Sequence, residues 1–320
     1  MSWLIAGLLW GLTITKALTR RSGQSALMLW CSLVFAVSFS TDIGEVFQPI
    51  DSMLGGWNST NLFGHLLFSL GVYLLSRSVV IAASPRRGRR IDEWSRLLLG
   101  AVLAAQVTSF AFVRTEGPSA HFSLAYGSQD AALWYSLVEI VYAILILGAT
   151  GLIAFAHSGR MRSPRYRWAM RLIGIGCVLA LATEVSGVEN VVRIHDGTLS
   201  ALSAFSRQHD ILFGLCGTTL VFGFGLPSVA GWFNRARRRR EAAKSVDLLR
   251  PIWETATEGR NNIGLENTAS ASLQLHRMAV EIRDATLSDP GVVRKIRGRF
   301  GAEAELQVEE CEHFLAGEPA

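Results

Sequence analysis

The sequence predicts an all-α, polytopic membrane protein with seven transmembrane helices and a small helical tail domain. Half of its 320 residues are apolar and only 18% are charged, whereas a typical soluble domain has about a quarter charged. The mean hydropathy is +0.29. The charges also leave long gaps, such as residues 97–113. Because about 20 helical residues cross a hydrocarbon core of about 30 Å, several of these stretches are long enough to span a bilayer.

Seven apolar segments account for residues 1–233. Only helices and closed barrels satisfy their backbone groups in lipid, and the segments lack the period-two alternation of barrel strands. They cover residues 2–18, 26–42, 62–83, 94–113, 131–156, 168–190 and 209–231. No basic residue precedes the first segment, so we interpret it as a retained helix, not a cleaved signal peptide. Lys16 lies in the last turn of this segment. An alternative therefore stays open, in which the first segment lies at the membrane interface and the protein has six spans.

Lysine and arginine are concentrated in alternate connections between the segments. With the ends of the flanking segments included, the first connection holds three of these residues, the third and fifth hold five each, and five follow the seventh segment; Lys16, Arg96 and Arg171 are the ones at segment ends. The other connections hold none, one and two. Since basic residues favour the cytoplasmic side, the pattern predicts an outside N-terminus and a cytoplasmic C-terminus.

The densest basic run lies directly after the seventh segment, in a juxtamembrane stretch at 234–244. It contains Arg235, Arg237, Arg238, Arg239 and Arg240. A nucleic-acid-binding tail would carry its positive charge on the domain itself. Residues 241–320 instead hold nine basic and fourteen acidic side chains. We therefore expect no nucleic-acid partner. The arginines are interpreted as anchors to anionic lipid headgroups, each worth about 1 kcal/mol.

Residues 245–320 are predicted to form a cytoplasmic helical domain. Its clearest amphipathic helix covers 272–287, where Leu275, Met278 and Ile282 share one apolar stripe. A domain this small has a thin core. We expect the stripe to bind the membrane helices, a second copy or a cytosolic protein partner. The oligomeric state stays open.

Three stretches of the sequence form recognisable motifs: NLFGHLLFSLGVYL at 61–74, LLRPIWETATE at 248–258 and LHRMAVEIRDATL at 275–287. Together they resemble a family of actinobacterial integral membrane proteins with seven helices and a C-terminal cytoplasmic helical domain of unknown function. His276 and Met278 depart from the family pattern, which usually has tyrosine and arginine there. The resemblance implies the seven-helix topology and a bacterial plasma membrane. Its members are labelled as transporters without a demonstrated substrate.

Ionisable groups inside the apolar segments are the candidate site residues, because each costs roughly 2.5–3.5 kcal/mol near a helix centre. Glu139, Glu184 and His65 all fall in the predicted outer half, and Tyr135 shares a helix face with Glu139. They predict an outward-facing ligand or ion cavity. The alternative is that they are packing contacts between helices. No histidine pair has HxxxH or HExxH spacing, so we expect neither metal nor cofactor.

Three functions fit this sequence. The first is a receptor-like or regulatory sensor that passes a membrane or extracellular signal to a cytosolic partner. The second is a small-molecule or ion transporter, although the sequence lacks the internal repeat typical of many transporters. The third, a membrane-embedded enzyme, has no catalytic motif in its favour, so we expect the protein not to be an enzyme.

Overall fold

The computed structural model describes residues 2–20, 26–83, 88–119, 121–161, 163–198, 204–258 and 270–301. These residues form eleven helices and no strand. The helices are α1 (Ser2–Thr19), α2 (Leu27–Thr41), α3 (Gly44–Met53), α4 (Ser59–Ala83), α5 (Gly88–Ala111), α6 (Phe122–Tyr126), α7 (Asp130–Ser158), α8 (Pro164–His195), α9 (Ala204–Thr257), α10 (Ala271–Ser288) and α11 (Pro290–Phe300). The chain divides into two compact units, Met1–Ala230 and Gly231–Ala320.

The described residues of the first unit confirm the all-helical class and are consistent with a membrane protein. Six helices are long and apolar enough to cross a bilayer, and α2 with α3 makes a seventh if that bent pair is one span. The pair bends by 86°. Alone, α2 has 15 residues and rises about 22 Å, which is short of a core of about 30 Å. The sequence prediction missed α3 and α6, which lie at one end of the unit; we call it the α3–α6 end.

The surface of the first unit is unusually apolar for a protein in water. Large side chains such as Leu97, Leu152 and Phe222 are more than 60% exposed. Soluble monomers rarely expose contiguous apolar patches of this kind. Exposed tryptophans also lie near the starts of two spans, at Trp94 and Trp168, where membrane proteins place their aromatic belts.

Close contact between α2 and α4 depends on Gly64. The Ser38 hydroxyl of α2 donates to the Gly64 carbonyl oxygen over 2.9 Å. A Cβ atom on Gly64 would lie 2.4 Å from Oγ1 of Thr41, so a larger residue cannot occupy this position without moving α2. Small residues allow such approaches between membrane helices, where van der Waals packing replaces the hydrophobic effect.

The connections at the α3–α6 end are held by buried polar groups. The Asp51 carboxylate accepts hydrogen bonds from the backbone N–H groups of Asn58 and Thr60, each over 3.0 Å, and so caps the first turn of α4. The Asn58 side chain bonds the carbonyl of Gly117 and the N–H of Ser119, each over 2.7 Å. These bonds tie α3, α4 and the α5–α6 connection together.

The second unit has its own hydrophobic core, built by α10, α11 and the last turns of α9. Residues of the sequence-predicted stripe, Leu275, Met278 and Ile282, are at most 2% exposed and pack with Leu249 and Ile252 of α9. The expectation that this stripe is presented to a partner is therefore corrected, because α9 and α11 already cover it.

A different row of apolar residues on α10 remains exposed. Leu273, Val280 and Leu287 follow one another at seven-residue spacing and are 58%, 44% and 77% exposed. On the covered side, the Trp253 indole N–H donates to the Glu281 carboxylate over 2.5 Å. The basic segment at 234–244 lies within α9, which continues through Pro251 to Thr257.

The packing at Gly64 predicts the effect of enlarging it. Gly64→Leu should lower the free energy of unfolding by about 1–3 kcal/mol, the usual effect of overpacking. Gly100→Leu is the matched control, because nothing lies within 4 Å of a Cβ atom on Gly100. The measurement is thermal unfolding in detergent, followed by a thiol-reactive dye in a Cys311→Ser background. The dye then reports exposure of the buried Cys31, Cys177 and Cys216. Equal melting temperatures for both variants would contradict the packing.

Candidate functional site

The centre of the candidate site is a contact between His65 of α4 and Glu139 of α7. The imidazole Nδ1 lies 2.6 Å from the carboxylate Oε2. The Glu139 side chain is 13% exposed and that of His65 is 31% exposed. The sequence predicted that both groups lie in the outer half of the bundle, on different helices. The structure brings them into contact. An ion pair satisfies both groups within the helical bundle.

Two further side chains extend this contact into a network. The Gln106 amide of α5 donates to the same Glu139 oxygen over 2.8 Å. The Ser69 hydroxyl of α4 donates to the Gln106 carbonyl oxygen over 3.3 Å. Gln106 and Ser69 are fully buried. One hydrogen-bonded network therefore joins α4, α5 and α7.

Sequence reasoning missed Gln106 because it searched for ionisable groups only. The available signal was a long amide side chain in the middle of the apolar stretch 97–113. Such a group needs a hydrogen-bonding partner in lipid, and the bundle interior is where one is found.

Aromatic rings cover the network on the side of the α3–α6 end. The Tyr135 ring centroid lies 5.2 Å from that of His65, and its hydroxyl donates to Asn61 over 3.3 Å. Phe110 and Phe122 pack on Tyr135, with centroids 5.6 and 5.5 Å away. Tyr135 therefore lies beside His65. The sequence predicted that Tyr135 shares a helix face with Glu139, but its hydroxyl bonds to Asn61 and not to Glu139.

Glu184 of α8 faces a separate cavity of about 70 Å³. The walls come from α1, α2, α4, α7, α8 and α9, and Glu184 is their only charged side chain among the described residues. The cavity's two hydroxyl-bearing residues, Ser32 and Thr183, donate to carbonyls of their own helices. Within the described chain, the Glu184 carboxyl has neither a hydrogen-bonding nor an ion-pairing partner.

Glu184 nevertheless lies within electrostatic range of the His65–Glu139 pair. His65 also interacts with Asp42, at the α2–α3 bend. The His65 imidazole therefore contacts one carboxyl group, Glu139, and interacts electrostatically with two more, Asp42 and Glu184. Asp42 is the last residue of the predicted second segment, and nothing in the neighbouring sequence indicates that the chain bends there.

A second polar cluster occupies the opposite end of the same helices. The Tyr73 hydroxyl donates to the Asp92 carboxylate over 2.7 Å. Arg77 Nε lies 3.1 Å from that carboxylate, which the Arg96 guanidinium also contacts. The cluster joins α4 to the start of α5. In it the negative charge of Asp92 is balanced by the positive charges of Arg77 and Arg96.

Neither cluster has the composition of a metal centre. In the parts of the chain that the structure describes, no group of three or more His, Cys, Asp or Glu side chains could hold a metal ion. A carboxylate–imidazole pair beside an unpaired carboxyl can bind a cation, donate a hydrogen bond or exchange a proton.

The predicted lipid anchors are solvent-accessible where their side chains are described. Arg237, Arg238, Arg239 and Arg240 are exposed, and Arg237 pairs with Glu241 over 2.6 Å. The Arg235 side chain lies outside the described set. Trp232 and Phe233 are 54% and 61% exposed, so an aromatic pair precedes the basic run along α9. This order suits a membrane–water interface.

Comparisons with family models, with curated proteins and with solved structures gave no match for the chain. The family resemblance of the three stretches therefore remains a prediction.

Proposed function

We propose that the protein is a receptor-like membrane sensor whose ligand site is the cavity at Glu184. The observation that carries the proposal is a carboxyl group without a protein partner in an otherwise apolar cavity. A buried carboxyl group without a hydrogen-bonding or ion-pairing partner is costly in either protonation state. A ligand that supplies the missing cation or hydrogen-bond donor removes that cost and so binds with a gain in free energy.

The cavity defines the class of ligand. Phe35, Phe68 and Phe213 contribute to its apolar lining, which suits an alkyl or aryl group. Its volume of about 70 Å³ is several times the roughly 10–15 Å³ that a cavity needs in order to hold one water molecule. The proposed ligand is thus a small amphiphile with a short apolar part and a cationic or hydrogen-bond-donating head directed at Glu184.

The proposed route to the cytosol is α9. Phe213, Cys216 and Phe224 of this helix line the cavity, and its later residues Val246 and Leu249 belong to the core of the tail unit. A single helix therefore carries residues of both the ligand site and the output module. The exposed row Leu273, Val280 and Leu287 supplies an apolar surface for a cytosolic protein.

We further propose that α2 and α3 act as one broken span, which gives seven spans with the N-terminus outside. Support comes from the alternating distribution of basic residues and from the exposed Trp232 beside the arginine run. In this arrangement the α3–α6 end faces outward, Arg235–Arg240 meet the headgroups of the cytoplasmic leaflet, and the tail is cytoplasmic. The family resemblance favours a bacterial plasma membrane.

The ligand proposal predicts a charge-selective stabilisation. Butylamine should raise the melting temperature of the purified protein in detergent, whereas butanoate, of similar size and opposite charge, should not. At 100 times the dissociation constant, binding adds about 2.7 kcal/mol to the free energy of unfolding. Glu184→Gln should abolish the stabilisation by butylamine, because it removes the counter-charge and keeps the shape.

Glu189→Gln is the matched control for that experiment. Glu189 lies on the same helix but is 43% exposed and pairs with Arg193. This variant should keep the full response to butylamine. A response that survives Glu184→Gln, or one that is equal for amine and carboxylate, would contradict the proposed site.

The topology proposal predicts which cysteines can be labelled from outside. In a variant lacking the four native cysteines, a membrane-impermeant maleimide should label Glu116→Cys on intact cells. Asp247→Cys should react only after permeabilisation. Both positions are exposed in the structure. The reverse pattern would show the opposite orientation. Labelling of both positions on intact cells would contradict a cytoplasmic tail.

A further inference from the structure

One face of α4 is polar along much of its length. His65, Ser69, Tyr73 and Arg77 follow one another at four-residue spacing, which places them on the same helix face. We call these four residues the polar row. It extends about 18 Å along the helix axis, more than half of a hydrocarbon core of about 30 Å. Polar side chains inside a membrane are costly and usually mark ion or proton pathways.

Every member of the polar row contacts a polar group on α5 or α7. His65 meets Glu139 and Ser69 meets Gln106 at one end. Tyr73 and Arg77 both meet Asp92 at the other end. The same three helices thus carry two polar clusters that are separated along the row by the single step from Ser69 to Tyr73, about 6 Å.

Tyr142 of α7 lies between the two clusters. It is three residues beyond Glu139, about 4.5 Å further along the helix axis, and it interacts electrostatically with Tyr73. Tyr142 is 2% exposed, and its hydroxyl has no hydrogen-bonding partner among the described residues. Nearly all buried polar groups in proteins bond to protein or to ordered water. This hydroxyl is therefore a suitable site for water between the clusters.

We propose that the α4–α5–α7 interface is a proton path that joins the His65–Glu139 pair to Asp92 through the hydroxyl groups of Ser69, Tyr142 and Tyr73 and intervening water. At each step an oxygen accepts a proton on a lone pair from one neighbour and releases its own proton to the next. Only O–H and N–H bonds form and break, so one proton moves per event and no other reactant is consumed. Gln106 holds Glu139 and Ser69 in place.

The charges along the path are compatible with this role. At one end the imidazole of His65 contacts the Glu139 carboxyl and interacts electrostatically with those of Asp42 and Glu184. At the other end the Asp92 carboxylate contacts both Arg77 and Arg96. The negative charge of Asp92 thus offsets part of the positive charge of the two guanidinium groups at the point where a proton would leave. Arg96 is 57% exposed, so this end of the path is open to solvent.

The test is proton flux into liposomes that contain the purified full-length protein. A potassium gradient with valinomycin sets the membrane potential, and enclosed pyranine reports internal pH. Wild-type protein should carry flux above that of protein-free liposomes. Tyr142→Phe should reduce the flux about tenfold or more, equivalent to at least 1.4 kcal/mol in the barrier, because it keeps the ring and removes the hydroxyl. Ser69→Ala should also reduce it.

Tyr166→Phe is the matched control, since Tyr166 is 55% exposed and lies at the start of α8, away from the polar row. It should conduct like the wild type. Melting temperatures of all variants show that each is folded. The proposal is overturned if the wild type conducts no faster than protein-free liposomes, or if folded Tyr142→Phe conducts at the wild-type rate.

Discussion

The contact between His65 and Glu139 is the interaction on which the candidate site depends. Lipid offers no hydrogen-bonding partners, so ionisable groups within the bundle must satisfy one another. Glu139 does so with His65 over 2.6 Å and with Gln106 over 2.8 Å. These bonds connect α4, α5 and α7. They also leave Glu184 without a hydrogen-bonding partner among the described residues, and for this reason we propose Glu184, and not Glu139, as the contact for a ligand.

The packing between the membrane helices and the core of the tail unit have different physical causes. Small residues such as Gly64 allow the spans to approach closely where apolar burial provides no driving force between helices. The tail unit is instead built like a soluble domain, with Leu249, Leu275 and Met278 fully buried. The helix α9 contributes residues both to the cavity wall and to this core.

The sequence allowed prediction of the helical class and of helices apolar enough to span a membrane, because hydropathy is a local signal. Isolated charges in those segments singled out His65 and Glu139 as candidate residues. His65 and Glu139 meet, and Tyr135 lies beside them. Gln106 was missed because an uncharged amide does not stand out in an apolar segment. The burial of Leu275 was missed for another reason: periodicity identifies the apolar face of a helix, but the residues that cover it, such as Leu249, depend on tertiary packing.

A double-mutant cycle on His65 and Glu139 tests the central claim most directly. His65→Leu and Glu139→Leu should each destabilise the protein, because each leaves the other group without its partner. The double variant should then lose less unfolding free energy than the sum of the two single losses. The coupling free energy should be about 0.6–1.7 kcal/mol, the range found for buried polar contacts between membrane helices. Thermal unfolding in detergent gives the four values, and a parallel cycle of His65 with the exposed Glu189 should be additive. Additivity in the His65–Glu139 cycle within about 0.3–0.5 kcal/mol would contradict the contact.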